Sequence, residues 1–240
     1  MSQREPIFNV PGVVLGLLAL FFAVHLARWA LPDAENAWLT AVLAFIPARL
    51  TSLAADLPGG RIAVATSFVT HQFVHGDTGH LLINSAWLLA FGTPVARRTD
   101  PLRFLAFFLM AGAAGALLYV VVNGPVPVLV VGASGAISGL MGAAFRFLFR
   151  SFGHGGRFHA GAPLMPLAET LRDRRILMAV AAWTALNVLL AMWAGPMFTE
   201  AGGIAWEAHL GGFYAGLLLY GFFDRPPRPP DEDDDAAVAE

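Results

Sequence analysis

Six apolar runs divide the chain, each with about the length that a helix needs to cross a bilayer. Such a helix takes about 20 mostly apolar residues, and charged residues, Pro or Gly bound every run here. No internal repeat is visible, so the runs predict one compact membrane domain rather than two folded units. The predicted spans cover residues 13–31, 80–96, 102–122, 128–149, 176–195 and 205–223.

The arginines fall unevenly between these runs and predict how the chain is oriented. The loops after the second and fourth runs are rich in arginine, whereas the connections after the third and fifth have none. Because positively charged loops stay in the cytoplasm, we expect these two loops and both chain termini on the cytoplasmic side. The arginines of the two loops are Arg97, Arg98 and Arg103, and Arg150, Arg157, Arg172, Arg174 and Arg175.

Two segments do not have the composition of a span. Residues 32–79 are too polar in places to cross the membrane and predict a long, partly interfacial loop. Residues 225–240 hold four prolines and an acidic run at 231–235, which predicts disorder because little apolar area can be buried. We therefore expect an all-α, polytopic membrane protein with a short cytoplasmic segment (1–11), a six-helix membrane domain (12–224) and a disordered acidic tail (225–240).

Composition narrows the class of protein further. Charged residues make up 13% of the 240 residues and hydrophobic residues 57%, whereas roughly a quarter of a soluble domain is charged. The net charge of -2 and the lack of a basic stripe argue against nucleic-acid binding. The absence of Cys excludes a disulfide, a thiol nucleophile and a thiolate metal site. All 15 basic residues are Arg, which is typical of a GC-rich bacterial genome, so we expect the inner membrane of a bacterium.

Polar residues inside the apolar runs are the candidates for function. An ionisable group within the bilayer is costly, so it is expected to have a partner and a functional role. The candidates are His80 and Asn84 in the second run, Ser134 in the fourth and His209 in the sixth. With the predicted orientation, all of them lie in the outer half of the membrane.

Ser134 has the sequence context of a nucleophile. Pro125, Pro127 and Gly132 discourage helix before it, so a helix is expected to begin close to Ser134. The unpaired N–H groups and the positive dipole end of that helix would stabilise an oxyanion. A hydroxyl also needs a base within hydrogen-bond reach, and His209 is the imidazole that we expect there.

Other residues of the second, fourth and sixth spans support this interpretation. His80 and Asn84 are four residues apart on one helix face, and both can donate hydrogen bonds to an oxyanion. We expect Glu207 to be solvated or to line the cavity, on a different helix face from His209, so a Ser-His dyad is favoured over a triad. Two rows of small residues predict close packing of the fourth and sixth spans. These rows are Ser134, Ser138 and Gly142, and Ala208, Gly212 and Gly216.

Three motifs in the chain resemble those of the rhomboid family of intramembrane serine proteases. They are the nucleophile motif Gly-x-Ser-Gly, the last-span motif Ala-His-x-x-Gly-x-x-x-Gly and the second-span pattern His-x-x-x-His-x-x-x-x-His-x-x-x-Asn. Their order and their placement on the expected spans make the resemblance specific over about residues 66–224. The matched positions are Gly132, Ser134 and Gly135; Ala208, His209, Gly212 and Gly216; and His71, His75, His80 and Asn84.

The resemblance implies a rhomboid-like bundle of six helices around a water-filled cavity that opens outward. It implies hydrolysis of single-span membrane proteins near their outer boundary, with no cofactor and with lipid as the only other partner. Ser134 and His209 would be catalytic. His80, Asn84 and the backbone N–H of Ser134 would bind the oxyanion.

His71 and His75 have the spacing of the zinc-protease motif His-Glu-x-x-His. Gln72 replaces the glutamate of that motif, and a neutral amide cannot take a proton from zinc-bound water. We therefore expect no metal site. The resemblance implies that both histidines are structural and hold the first loop against the second span.

The chain departs from the family pattern at two places. Some members carry an aromatic residue four positions after the nucleophile, against which the base stacks, and Ser138 occupies that position here. The Trp-Arg pair that is common in the first loop falls on Thr66 and Ser67. We expect the packing of the loop and the orientation of His209 to differ accordingly.

Two other classes of function stay open at the level of sequence. A rhomboid-like binder recognises membrane spans without cutting them, and it is expected to lack the Ser or the His, whereas Ser134 and His209 are both present. A small transporter is expected to have two related halves with interrupted helices, which this chain does not show.

Overall fold

Helices account for most of the chain that the structure describes. The structure, a computed structural model, describes residues 10–151, 162–194 and 205–225. Within these ranges the α-helices are α1 (Gly12–Trp29), α2 (Asp33–Leu43), α3 (Ile62–Thr70), α4 (Thr78–Trp87), α5 (Thr93–Ala96), α6 (Pro101–Asn123), α7 (Ser134–Phe145), α8 (Leu148–Ser151), α9 (Leu167–Thr170), α10 (Arg174–Ala194) and α11 (Trp206–Leu219). Short 3-10 helices cover Pro47–Leu50, Ser52–Ala55, His71–Phe73 and Tyr220–Phe222, and a π-helix covers Leu88–Gly92.

Three of the described helices are long and apolar enough to cross a membrane, namely α1, α6 and the part of α10 that covers Arg174–Met192. They coincide with the first, third and fifth predicted spans. The second predicted span is helical along its whole length, but a π-helix lies between α4 and α5. The fourth and sixth contain shorter helices, with 12 residues in α7 and 14 in α11. The count of six spans therefore stays a prediction.

The segment between the first two predicted spans is more ordered than the expected loop, because it contains α2, α3 and three 3-10 helices. Arg49, only 1% exposed, donates to the carbonyl oxygens of Ala41 and Ala44 and so satisfies backbone groups at the end of α2. An antiparallel bridge joins Phe45 to Val130, with N–O distances of 2.9 and 2.8 Å. The segment is thus attached to the chain that leads into α7.

Helix α7 is the most enclosed element near the centre of the bundle. Every residue from 135 to 144 is buried, and α6 and α11 pack against it. Aromatic side chains fill much of the space around it. The fully buried ones in the same core cluster are Phe21, Phe104, Phe107, Phe108, Phe147 and Tyr220.

A buried ion pair joins the end of α5 to the end of the last helix. Both the Nε and Nη2 atoms of Arg98 donate to the carboxylate of Asp224, each at 2.8 Å. Arg98 is fully buried, and its guanidinium lies 4.7 Å from the centre of the Phe147 ring. Arg98 is predicted to be an arginine of the loop after the second span, but its side chain faces inward because Asp224 supplies the countercharge.

Some sequence predictions concern residues that the structure does not describe. Residues 1–9 of the N-terminal segment 1–11 and residues 226–240 of the tail 225–240 lie outside the described ranges. The same holds for most of the connection between α10 and α11. The predicted division of the chain into these segments stays a prediction.

Candidate active site

Ser134 is the first residue of α7, as the prolines and glycine before it predict. The chain from residue 124 to residue 133 is not helical, and Gly132 has a φ of 117°, a left-handed conformation that favours glycine. The N–H of Gly132 donates to the carbonyl oxygen of His71 at 2.9 Å, which fixes the turn. Ser134 therefore stands at a helix start and remains partly exposed.

His209 of α11 forms a hydrogen bond with Ser134 although 75 residues separate them. The distance from the Nε2 atom of His209 to the Oγ atom of Ser134 is 2.9 Å. His209 is also partly exposed, so neither side chain is sealed from its surroundings. The structure thus brings together the nucleophile and the base that the sequence predicts.

Glycines allow α7 and α11 to pack backbone against backbone beside this hydrogen bond. A Cβ atom on Gly212 would overlap the carbonyl oxygen of Gly135, and one on Gly216 would overlap that of Gly139. A Cβ atom on Gly142 would likewise overlap a carbonyl oxygen of α11. On α7 the glycines of this contact are therefore Gly135, Gly139 and Gly142, and Gly142 also belongs to the predicted row.

The contact on α7 includes two glycines, Gly135 and Gly139, that the predicted row did not contain. A hydroxymethyl group at the contact would hold the two backbones apart, whereas glycine lets them touch. Ser134 lies beside the contact, where its Oγ atom reaches His209. The α11 half of the prediction holds, since Gly212 and Gly216 both contact α7.

Asn187 of α10 forms a hydrogen bond with the other nitrogen of the His209 ring, and it is not among the site residues predicted from the sequence. Its Oδ1 atom lies 2.9 Å from Nδ1 of His209, and its Nδ2 atom donates to the carbonyl oxygen of Trp183 at 2.9 Å. Because the amide NH₂ group donates to the carbonyl oxygen of Trp183, Oδ1 is the atom that faces His209 and accepts the Nδ1 proton. Nε2 is then left unprotonated and can accept the hydroxyl proton of Ser134.

One signal in the sequence pointed to Asn187. It is the single Asn in the fifth apolar run, and a polar group placed there requires a partner. The carboxylate nearest to His209 along the chain does not take this place. Glu207 is 6% exposed, which corrects the expectation of a solvated or cavity-lining side chain, and it accepts a hydrogen bond from Asn123 at 2.8 Å.

His80 lies beside the turn that leads into Ser134, whereas Asn84 bonds within its own helix. A Cβ atom on Gly132 would lie 2.7 Å from Nε2 of His80, so that ring packs directly on the turn. The N–H of His80 donates to Asp77 at 2.8 Å, which caps α4. Asn84 is 4% exposed and donates one amide hydrogen to the carbonyl oxygen of His80 at 2.9 Å.

His71 and His75 are both buried and connect the first loop to the site. Nδ1 of His71 bonds to the carbonyl oxygen of Ser67 at 2.7 Å. Burial lowers the pKa of His71 to about 4 and that of His75 to about 3, so both stay neutral near pH 7. The ring of His75 lies edge-on to that of His80, with 5.3 Å between the ring centres.

A comparison with known protein families identifies the family of the chain. A sequence model described as the Rhomboid domain matches residues 63–226, which is more than half of the chain. The chain belongs to the rhomboid family, whose members are intramembrane serine proteases. The long apolar helices of the described chain are those expected of a membrane protein. A comparison with curated protein sequences gives no significant match.

We predict that Gly212→Ala separates α7 from α11. The added methyl group would overlap a backbone oxygen rather than a movable side chain, and such overpacking costs about 1–3 kcal/mol. Thermal unfolding in detergent should show this loss, together with weaker labelling of Ser134 by a fluorophosphonate probe.

Gly16→Ala in α1 is the matched control, because an added Cβ there meets nothing within 4 Å. It should leave both the unfolding temperature and the labelling unchanged. Normal stability and labelling in Gly212→Ala would contradict the described contact between α7 and α11.

Proposed function

We propose that the chain is a serine endopeptidase that cleaves single-span membrane proteins near the outer boundary of the membrane. The observation that carries the proposal is the 2.9 Å hydrogen bond between Nε2 of His209 and Oγ of Ser134. A serine next to an unprotonated imidazole, at a helix start, is the arrangement that acyl transfer requires. The expected setting is a six-span bundle in a bacterial inner membrane, with both termini cytoplasmic.

The reaction would proceed in two halves through an acyl-enzyme. Oγ of Ser134 attacks the scissile carbonyl carbon while Nε2 of His209 takes the hydroxyl proton, and His209 then returns that proton to the leaving amine. Water entering from the outer side attacks the ester, with His209 again as the base. The partial exposure of both side chains supports such access. None of these steps uses a metal or a cofactor.

The oxyanion formed in each half would be stabilised at the start of α7. The backbone N–H of Ser134 belongs to the unpaired groups of the first helical turn, where the helix dipole favours negative charge. His80 packs on the turn before Ser134, and Asn84 keeps an amide hydrogen that is not used by its bond to the carbonyl of His80. We assign both side chains as further donors to the oxyanion.

Asn187 would be the positioning residue for the base. It takes the place that a carboxylate holds in a Ser-His-Asp triad, since its Oδ1 atom accepts the Nδ1 proton of His209. Ser138 cannot stack on the imidazole as an aromatic residue would. The hydrogen bond from α10 therefore fixes the ring in this chain.

We predict that Ser134→Ala and His209→Ala each abolish cleavage of a single-span substrate by the purified protein. Loss of either member of such a pair lowers kcat by roughly 10⁴-fold or more. The assay follows product formation on gels in reconstituted vesicles. Ser138→Ala, one turn further along α7, is the matched control and should keep most of the activity.

Labelling by a fluorophosphonate separates this function from that of a membrane binder without catalysis. The wild-type protein should be labelled, and Ser134→Ala should not be. Undiminished cleavage by Ser134→Ala would refute the proposed nucleophile. A wild-type protein that binds spans but is neither labelled nor active would favour the binder.

We predict that Asn187→Ala lowers kcat by about tenfold and leaves KM nearly unchanged, because one hydrogen bond that orients the base is worth about 1 kcal/mol. Asn187→Asp should restore much of the rate, since a carboxylate oxygen can accept the same proton. Steady-state kinetics with a single-span substrate measures both quantities.

Thr184→Val is the matched control for this position. Thr184 also joins α10 to α11, through a 2.8 Å hydrogen bond with Tyr214, but it does not touch His209. An equal loss of kcat in Thr184→Val and Asn187→Ala, with no rescue by Asp, would reduce Asn187 to a packing role.

We predict that His80→Ala lowers kcat by roughly 100-fold with little change in KM, because removal of one oxyanion donor acts on the transition state. Ser85→Ala is a control on the same helix, where the Ser85 hydroxyl bonds to the carbonyl oxygen of Leu81. A rise in KM at constant kcat would instead assign His80 to substrate binding.

A further inference from the structure

A cavity away from Ser134 lies where the end of α1, the start of α2 and the start of α4 meet. Its volume is about 190 Å³, more than ten times the roughly 10–15 Å³ that one enclosed water requires. Arg28, Asn36, Asp77 and Thr78 are among the residues that line it. The cavity is therefore roomy and has charged and polar side chains in its wall, in a part of the chain that the catalytic proposal does not use.

Arg28 places a positive charge in this cavity without a carboxylate beside it. The residue is 7% exposed, and it donates to the carbonyl oxygen of His75 at 2.8 Å and to Oδ1 of Asn36 at 3.1 Å. In the described part of the chain, no carboxylate lies within ion-pair distance of it and its Nη2 atom donates to no protein atom. A buried cation of this kind favours an anionic ligand.

Asp77 supplies a negative charge at the rim of the same cavity. One of its oxygens, Oδ1, accepts the N–H of His80 at the start of α4. Oδ2 accepts no hydrogen bond from the residues that the structure describes. Asp77 is exposed and is not paired with Arg28, so the cavity carries a positive and a negative site that are separate from each other.

A tryptophan at the end of α1 indicates the level of the cavity in the membrane. Trp29 is 80% exposed, and such exposed rings concentrate at the level of the lipid head groups. Trp29 is itself part of the cavity wall. A ligand at this level is in contact with head groups rather than with acyl chains.

We propose that the cavity binds the head group of a zwitterionic phospholipid that carries a primary amine. A phosphate oxygen accepts from Nη2 of Arg28, and the ammonium group donates to Oδ2 of Asp77. A choline head group offers no N–H to Asp77, and a glycerol head group has no positive charge. The separated pair of charges therefore selects for the amine.

The cavity is also connected to the catalytic side of the molecule. Arg28 holds the carbonyl of His75, whose ring lies against His80, and Asp77 caps the helix that carries His80. An occupied cavity thus steadies the start of α4. Binding itself does not depend on proteolysis, so it can be tested by a measurement that is independent of cleavage.

The test uses the delipidated full chain in detergent, with thermal unfolding and native mass spectrometry as readouts. Phosphatidylethanolamine should raise the unfolding temperature and bind about tenfold more tightly than phosphatidylcholine or phosphatidylglycerol. Asp77→Asn, which keeps a capping side chain, should abolish the preference for ethanolamine over choline. Arg28→Gln should lose binding of all three lipids.

Arg61→Gln is the matched control, because Arg61 is an exposed arginine just before α3 and does not line the cavity. It should bind phosphatidylethanolamine as the wild-type protein does. If Arg28→Gln does not fold, the lipid preference of Asp77→Asn decides the test by itself. An unchanged lipid preference in Asp77→Asn would overturn the proposal, and equal protection by free phosphoethanolamine would overturn the assignment to a lipid.

Discussion

The contact between the backbones of α7 and α11 is the constraint on which the site depends. Ser134 and His209 stand on different helices, and their side chains are short, so a 2.9 Å hydrogen bond requires the helices to touch. Gly135 and Gly139 on one helix and Gly212 and Gly216 on the other make this possible. In a bilayer, where apolar side chains gain little from leaving lipid, such close packing is also what holds the helices together.

Two pairs of polar side chains inside the bundle satisfy each other, which agrees with the cost of leaving such groups unpaired in an apolar medium. The ion pair between Arg98 and Asp224 connects the chain after α5 to the chain after α11. The hydrogen bond from Asn123 to Glu207 joins α6 to α11. These two contacts fix α11 from both of its ends. The position of His209 along the chain, between those two contacts, therefore determines where its ring enters the site.

The sequence predicted Ser134 and His209 better than it predicted the contacts that hold them in place. Hydropathy located α1, α6 and α10, and Pro127 and Gly132 located the start of α7, because these signals are local. The register of the α7 contact and the partner of Nδ1 on His209 depend on how distant helices pack. A lone Asn187 in an apolar run indicates that a partner exists, but only the packing identifies His209 as that partner.

The ring of His209 is oriented by the most weakly enclosed of the three long apolar helices that the structure describes. Only 11% of the apolar window of α10 is buried, against 39% for α6, whereas α7 is enclosed along nearly its whole length. The hydrogen bonds from Asn187 to His209 and from Thr184 to Tyr214 are the polar contacts described between α10 and α11. A displacement of α10 would therefore remove the acceptor of the Nδ1 proton while Ser134 and His209 stayed on their packed helices. The orientation of the His209 ring thus depends on the docking of α10, whereas the position of Ser134 does not.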